Sequence, residues 1–355
     1  MKIQMTIKTV LLILIANHYA FSQGYQLWTN YKEIVVTSQS TGLTNYQVKL
    51  IISYESEMKS DFSDIRFVNS SGNELDYWVQ DYNDTSATLW VNANSISTSG
   101  TTVKMYYGNS NATDVQNPTN VFELYDGFNG DTLDQTIWSV TQQGGASYSF
   151  EDSTLKINVT QTDNFISIDS QNDYDLSQGY AFLCKTKTQT NRGHSFIGFG
   201  DGNSEGRLNH GGYAQRNGFG FTGGHEGPYK AMCRTDSAGI LYSFGNDKIN
   251  YHLIENEQDG NSIYNYYDDG TQEGSVDSTE IIDTGTRPFY FWLNGWDGNN
   301  RSVWIDYVAI RKYSYPEPTY QIGNSILNTS TNTHSLSFDG DDDYVNLGDI
   351  MNDLY

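Results

Sequence analysis

Two glutamates one residue apart, Glu255 and Glu257, stand in the run Glu255-Asn256-Glu257-Gln258-Asp259. On a strand, side chains at every second position share a face, so carboxylates at this spacing point the same way. Two carboxyl groups about 5–5.5 Å apart are what retaining glycoside hydrolysis requires, one as nucleophile and one as acid and base. Asp259, however, begins an Asp-Gly pair that favours a hairpin turn, so three acids do not continue along one regular strand face. The run reads as an acidic hairpin tip in solvent, with catalysis by Glu255 and Glu257 as the alternative.

A second chemistry is offered by Trp292 and Trp296, the latter followed by Asp297-Gly298-Asn299-Asn300. Indole faces pack on the apolar faces of pyranose rings, and neighbouring Asp and Asn can bond hydroxyls. Trp292 lies in an apolar run and reads as core, which leaves Trp296, Asp297 and Asn299 as the sugar-binding candidates. Asp297 and Asn299, with Asp201 elsewhere, also offer oxygen ligands suited to calcium. His194, His210 and His225 with Cys233 match none of the compact zinc spacings and read as polar surface. Cys184 and Cys233 lie in strand-like runs that could be neighbours in one sheet; a disulfide and two buried thiols both remain open.

The elements that must carry these groups are strands. From residue 31 to 108 about six short apolar stretches alternate with turn clusters such as Asn69-Ser70-Ser71-Gly72-Asn73. The period is clearest at Tyr46, Val48, Leu50 and Ile52, with Gln47 and Lys49 on the other face. A polar connector, 109–120, leads to a second strand-rich stretch that ends near residue 313. No segment holds a helical period. The expectation is an all-β chain of tandem β-sandwich modules: 24–120, 121–314, a polar linker over 315–333, and a strand pattern that restarts over 334–355.

Composition bounds the class. Tyr at 27 and Trp at seven, against five Pro, suit twisted sheets joined by polar turns and exclude a disordered chain. The N-terminus carries Lys2 and Lys8, a short apolar run, and small residues at Ala20 and Ser22, so 1–22 is expected to be a secretory signal peptide. That run is too short to span a bilayer, and membrane insertion of the mature chain is not expected. A formal charge of -23, from 43 acidic and 20 basic residues, argues against nucleic acid and anionic lipid as partners. It is compatible with calcium, and equally with acidity that only maintains solubility.

Four ordered motifs carry a resemblance: Asp61-Phe62-Ser63-Asp64-Ile65-Arg66-Phe67, Leu75-Asp76-Tyr77-Trp78-Val79, Leu89-Trp90-Val91 and Met105-Tyr106-Tyr107-Gly108-Asn109. Together they resemble a domain of unknown function common in exported prokaryotic surface proteins. The second module opens with Tyr125-Asp126-Gly127-Phe128-Asn129-Gly130, continues with Leu133-Asp134-Gln135-Thr136-Ile137-Trp138, and closes with Trp304-Ile305-Asp306-Tyr307-Val308. Both ends are similar to the concanavalin A-like lectin and glucanase superfamily, whose sandwiches are jelly rolls. Phe338-Asp339-Gly340 and Asp343-Tyr344-Val345 look like the truncated start of a laminin-G-like module.

The superfamily holds lectins, adhesins and glycosidases, so the resemblance alone does not choose among them. The opening of the second module is similar to that of retaining laminarinase-type glycosidases, whose catalytic strand carries Glu, Asp and Glu on one face. The run at Glu255 has the wrong order and lacks the second outer Glu. The expectation is a secreted or outer-surface protein that recognises a polysaccharide or surface glycan without catalysis, with no cofactor required and calcium as the ion its acidic turns could take. A secreted glycoside hydrolase and a structural spacer of an adhesin are the alternatives.

Overall fold

The computed structural model describes residues 24–160, 164–189, 194–201, 217–223, 230–235, 238–243, 250–295 and 300–328. The expected signal peptide and the 334–355 segment lie outside the described residues. Within them the chain is all-β and forms two sandwiches of antiparallel strands. Helix among the described residues is limited to single turns at Pro118–Val121 and Leu176–Gln178.

The first sandwich packs a three-stranded sheet (Leu43–Ser53, Ser86–Ile96, Tyr77–Tyr82) on a six-stranded one built around Asn30–Thr37, Thr101–Tyr107 and Arg66–Asn69. Alternation selects the core: Tyr46, Val48, Leu50 and Ile52 meet Ile34, Val36, Phe67, Val103 and Met105. The motif residues prove structural. Buried Asp64 accepts backbone N–H bonds from Lys59 at 3.0 Å, Gly108 at 2.7 Å and Asn109 at 3.2 Å. Three such donors satisfy a buried carboxylate and tie two distant motifs together. Residues 109–120 are not a loose connector. They fold back on the sandwich, with Thr113 O accepting from Arg66 at 2.6 Å and Asn117 N donating to Tyr77 O at 3.1 Å.

The second sandwich pairs two larger sheets. One runs in the order Ser147–Glu151, Thr154–Val159, Arg301–Lys312, Tyr180–Thr188, His252–Gln258, Ile263–Asp268, Thr271–Asp277, with Leu124–Asp126 also on Arg301–Lys312. The other runs Gly239–Ser243, Lys230–Arg234, Gly218–Gly223, His194–Gly200, Thr286–Asn294, Phe165–Asp175, Trp138–Gln143. Between them lie Leu155, Ile157, Phe182, Ile254 and Ile305 against Ile166, Ile168, Phe199, Phe219 and Phe291. Trp138 closes one end, its indole N–H donating to Asp126 Oδ2 at 2.8 Å.

The modules are joined face to face. Trp78 and Trp90, on the outer side of the three-stranded sheet, pack on Phe122, Leu183, Tyr307 and Ala309 of the second module. Trp78 meets Phe122, Tyr125 and Tyr307 edge-on, with centroids 5.2–5.6 Å apart, the arrangement aromatic rings favour.

The described part of 315–333, which ends at Asn328, corrects the linker expectation. Thr319–Ile322 and Ile326–Leu327 both pair antiparallel with Asn30–Thr37, so residues beyond the second module complete the sheet of the first. Tyr320 and Ile322 alternate within a polar stretch and pack on the first core. Two apolar side chains and a ladder of backbone bonds suffice to dock a short edge strand.

Candidate functional site

The strand His252–Gln258 positions Glu255 and Glu257 on the outer face of its sheet, under the first module. This corrects the reading of a solvent-exposed tip: each glutamate is only 5 % exposed. The turn itself is as expected, Asp259 Oδ1 accepting from the N–H groups of Asn261, Ser262 and Ile263 at 2.9 Å each. The strand simply extends through Gln258 before it turns.

Both glutamates meet one nitrogen of Arg311. Nη2 lies 3.1 Å from Glu255 Oε1 and 2.5 Å from Glu257 Oε1, while Nη1 donates to Glu317 Oε1 at 2.7 Å. Arg311 is itself 2 % exposed and lies between the rings of Trp90 and Tyr313, at 5.1 and 5.4 Å. Lys49 adds a weaker contact to Glu255 at 3.6 Å. Burial pushes Glu257 up to about 8, against the opposing pull of Arg311 and with the support of Glu255 and Glu317. Burial sets the direction, and the charge count does not reverse it, since three carboxylates share one buried guanidinium and a half-exposed lysine. A cavity of about 250 Å³ adjoins this cluster, lined by Lys49, Trp90, Tyr267 and the charged groups.

A second, larger cleft of about 420 Å³ lies further along the same outer face, lined by Glu151, Asp152, Thr154, Lys187, Tyr251, Trp304 and Asp306. Register builds it. Trp304 on Arg301–Lys312 has Lys156 opposite on one neighbouring strand and Lys187 opposite on the other. Each ammonium lies 5.2 Å from the Trp304 ring centroid, and Lys187 is also 4.5 Å from that of Tyr251. Glu151 binds Lys156 at 2.8 Å and accepts from the Trp304 indole N–H at 3.4 Å. Asp306, two residues from Trp304 and thus on its face, pairs with Lys185 at 2.7 Å. An aromatic platform rimmed by ammonium and carboxylate groups can stack a sugar ring and bond its hydroxyls. Sequence reasoning took Trp304-Ile305-Asp306 for a module boundary and missed it as a site. The alternations Lys185-Thr186-Lys187 and Trp304-Ile305-Asp306 were the available signal.

The remaining candidates fall as follows. Trp292 is buried, with Phe165, Phe196, Met232 and Tyr290, on the side of its sheet away from the main core. Trp296, Asp297 and Asn299 lie outside the described residues, as do His210 and His225. Asp201 accepts from Asn217 Nδ2 at 3.4 Å, beside the hairpin formed by His194–Gly200 and Gly218–Gly223.

Cys184 and Cys233 are both buried free thiols. They stand on opposite sheets of the second sandwich rather than on neighbouring strands, which corrects the disulfide alternative. Burial raises Cys184 well above an ordinary thiol, and Cys233 Sγ lies 3.3 Å from Ile281 O. One group of metal-type ligands that sequence reasoning missed is His252, Asp268 and Asp269. Nδ1 of His252 lies 3.0 Å from Asp268 Oδ1 and 2.8 Å from Asp269 Oδ2.

Comparison with known proteins gives one family: residues 61–141 match a domain of unknown function (DUF2341), so this domain is present in the chain. The match begins after the first two strands and runs into the second sandwich, to Trp138–Gln143. No curated protein matches the chain. Similar solved structures include one described under endo-acting O-glycanases of human gut microbiota, with 12 % identity, TM-score 0.40, and 54 % of this chain against 100 % of that one. A beta-1,3-glucanase from Mycobacterium marinum gives 12 % identity and TM-score 0.39 over 53 % of this chain and 98 % of that one. LamAcat from Zobellia galactanivorans gives 12 % identity and TM-score 0.40 over 54 % and 97 %.

Proposed function

We propose that this chain is a non-catalytic glycan-recognition unit of a secreted or outer-surface protein, with the Trp304 cleft as its binding site. The observation that carries the reading is the platform of Trp304 and Tyr251, rimmed by Lys187, Glu151 and Asp306 in an open cleft of about 420 Å³. Its size falls within the range typical of small-ligand clefts. Support also comes from Glu255 and Glu257. Their carboxylates are bound to the buried guanidinium of Arg311, which engages the oxygens an acid and a nucleophile would need free.

The test is retention of the full chain on a panel of insoluble polysaccharides, with calcium and with chelator, beside Trp304→Ala. Retention by the wild type that falls in the variant supports the reading; retention unaffected by Trp304→Ala overturns the site. A hydrolase is the second reading, favoured by one observation. A carboxyl group raised to about 8 beside a second carboxylate is the pairing an acid catalyst and its partner need.

A further inference from the structure

We infer that the Trp304 cleft selects saccharides bearing an anionic group, a uronate carboxylate or a sulfate ester, and that Lys187 receives that group. This deepens the glycan-recognition reading and rests on it.

The argument begins with charge. In a chain of net charge -23, three lysines project from the two strands on either side of Arg301–Lys312, and two of them, Lys156 and Lys187, flank a single tryptophan. Two are already matched: Lys156 by Glu151 at 2.8 Å, and Lys185 by Asp306 at 2.7 Å. Among the described residues Lys187 has no carboxylate within ion-pair distance; its ammonium contacts the rings of Trp304 and Tyr251. An ammonium has three N–H donors, and aromatic faces occupy none of them with a strong acceptor. Lys187 therefore offers donors to a ligand while the rings hold its position.

The same geometry disfavours a purely neutral sugar. Stacking of an uncharged pyranose on Trp304 competes with the two ammoniums that its cross-strand neighbours hold 5.2 Å from the ring centroid. A ligand that brings a negative charge to Lys187 turns that obstacle into a charge-assisted hydrogen bond, and its hydrophobic ring face can then lie against Tyr251 or Trp304. Glu151 and Asp306, held by their own lysines, remain as acceptors for hydroxyl groups. Their negative charge sets a limit as well, because a densely charged strand meets as many carboxylates as ammoniums along the cleft.

The experiment is affinity electrophoresis of the full chain through gels containing polygalacturonate (uronate), dextran sulfate (sulfate), laminarin (neutral) or double-stranded DNA. Wild type, Lys187→Gln, Lys187→Arg and Trp304→Ala are compared, with unchanged thermal melting as the folding control. The expected result is retardation by polygalacturonate, by dextran sulfate or by both, identifying the anion, with laminarin and DNA inert. Lys187→Gln should weaken it about tenfold or more, the worth of a charge-assisted hydrogen bond, and Lys187→Arg should restore most of it. Retardation by laminarin that ignores Lys187→Gln overturns the anion selectivity while leaving glycan recognition standing. Equal retardation by DNA makes the cleft a general polyanion surface and overturns it too. No retardation by any saccharide fails the recognition reading itself, and this inference with it.

Discussion

The guanidinium of Arg311 lies 5.1 Å from the ring of Trp90, so a side chain of the first module roofs the buried charge of the second. The contact couples the two sandwiches through an ion cluster rather than through apolar packing alone. Around it, Lys312 N donates to Gln47 Oε1 at 2.9 Å and Tyr46 OH donates to Glu317 Oε2 at 3.0 Å.

Removing the cation from this cluster leaves the buried Glu255 and Glu257, beside the partly exposed Glu317, without their shared partner. Arg311→Met is expected to destabilise the protein by about 3–5 kcal/mol, the usual cost of breaking a buried ion pair on one side. Chemical denaturation checks this, and a loss near zero would mean that the carboxylates find other partners.

Glu257 gives the stability a pH dependence of defined sign. Its folded value, about 8, exceeds the ordinary 4.5, so the folded state holds a proton that the unfolded chain has released between those values. The contribution is fully present below about 4.5, declines as pH rises towards about 8, and is flat above. Melting temperature measured across that window should fall with pH in the wild type and fall less in Glu257→Gln; parallel slopes would contradict the assignment.

Truncation tests the returning strands. A chain ended before Thr319 loses both partners of Asn30–Thr37 on that side. The first sandwich then carries an exposed edge and lacks Tyr320 and Ile322, so this shortened form should unfold at lower temperature, aggregate and be cleaved readily by protease within residues 24–120. Equal protease resistance of the short and long forms would show that the return is dispensable.

Gly108 tests the motif. Its φ is +89°, and an added Cβ would collide with Thr29 Oγ1, while its N–H is bound by Asp64. Gly108→Ala should cost roughly 1–3 kcal/mol, from left-handed backbone and steric clash together. Denaturant titration reads the loss directly.

Much of the fold is legible in the chain because strands announce their faces by alternation. Tyr46, Val48, Leu50 and Ile52 form the core they spell out. What alternation does not reveal is what covers the opposite face. Gln47 and Lys49 read only as the strand's other face, and Gln47 is buried there against the second module. Glu255 and Glu257 share a face as their spacing requires, but the guanidinium that binds them and the Trp90 ring beside it come from far off in sequence. The Lys156, Trp304 and Lys187 alignment likewise depends on register between strands far apart in sequence. The 315–333 segment escapes notice because Tyr320 and Ile322 are two apolar residues in polar surroundings, a signal too short for periodicity to detect.

The most direct test of recognition without turnover is to incubate the full chain with the polysaccharide that retains it and assay the supernatant for new reducing ends, beside Glu257→Gln and Trp304→Ala. Retention with no release, lost in Trp304→Ala and kept in Glu257→Gln, is the expected result. Reducing ends that accumulate with the wild type and vanish with Glu257→Gln would contradict it and make the Arg311 cluster a hydrolytic centre.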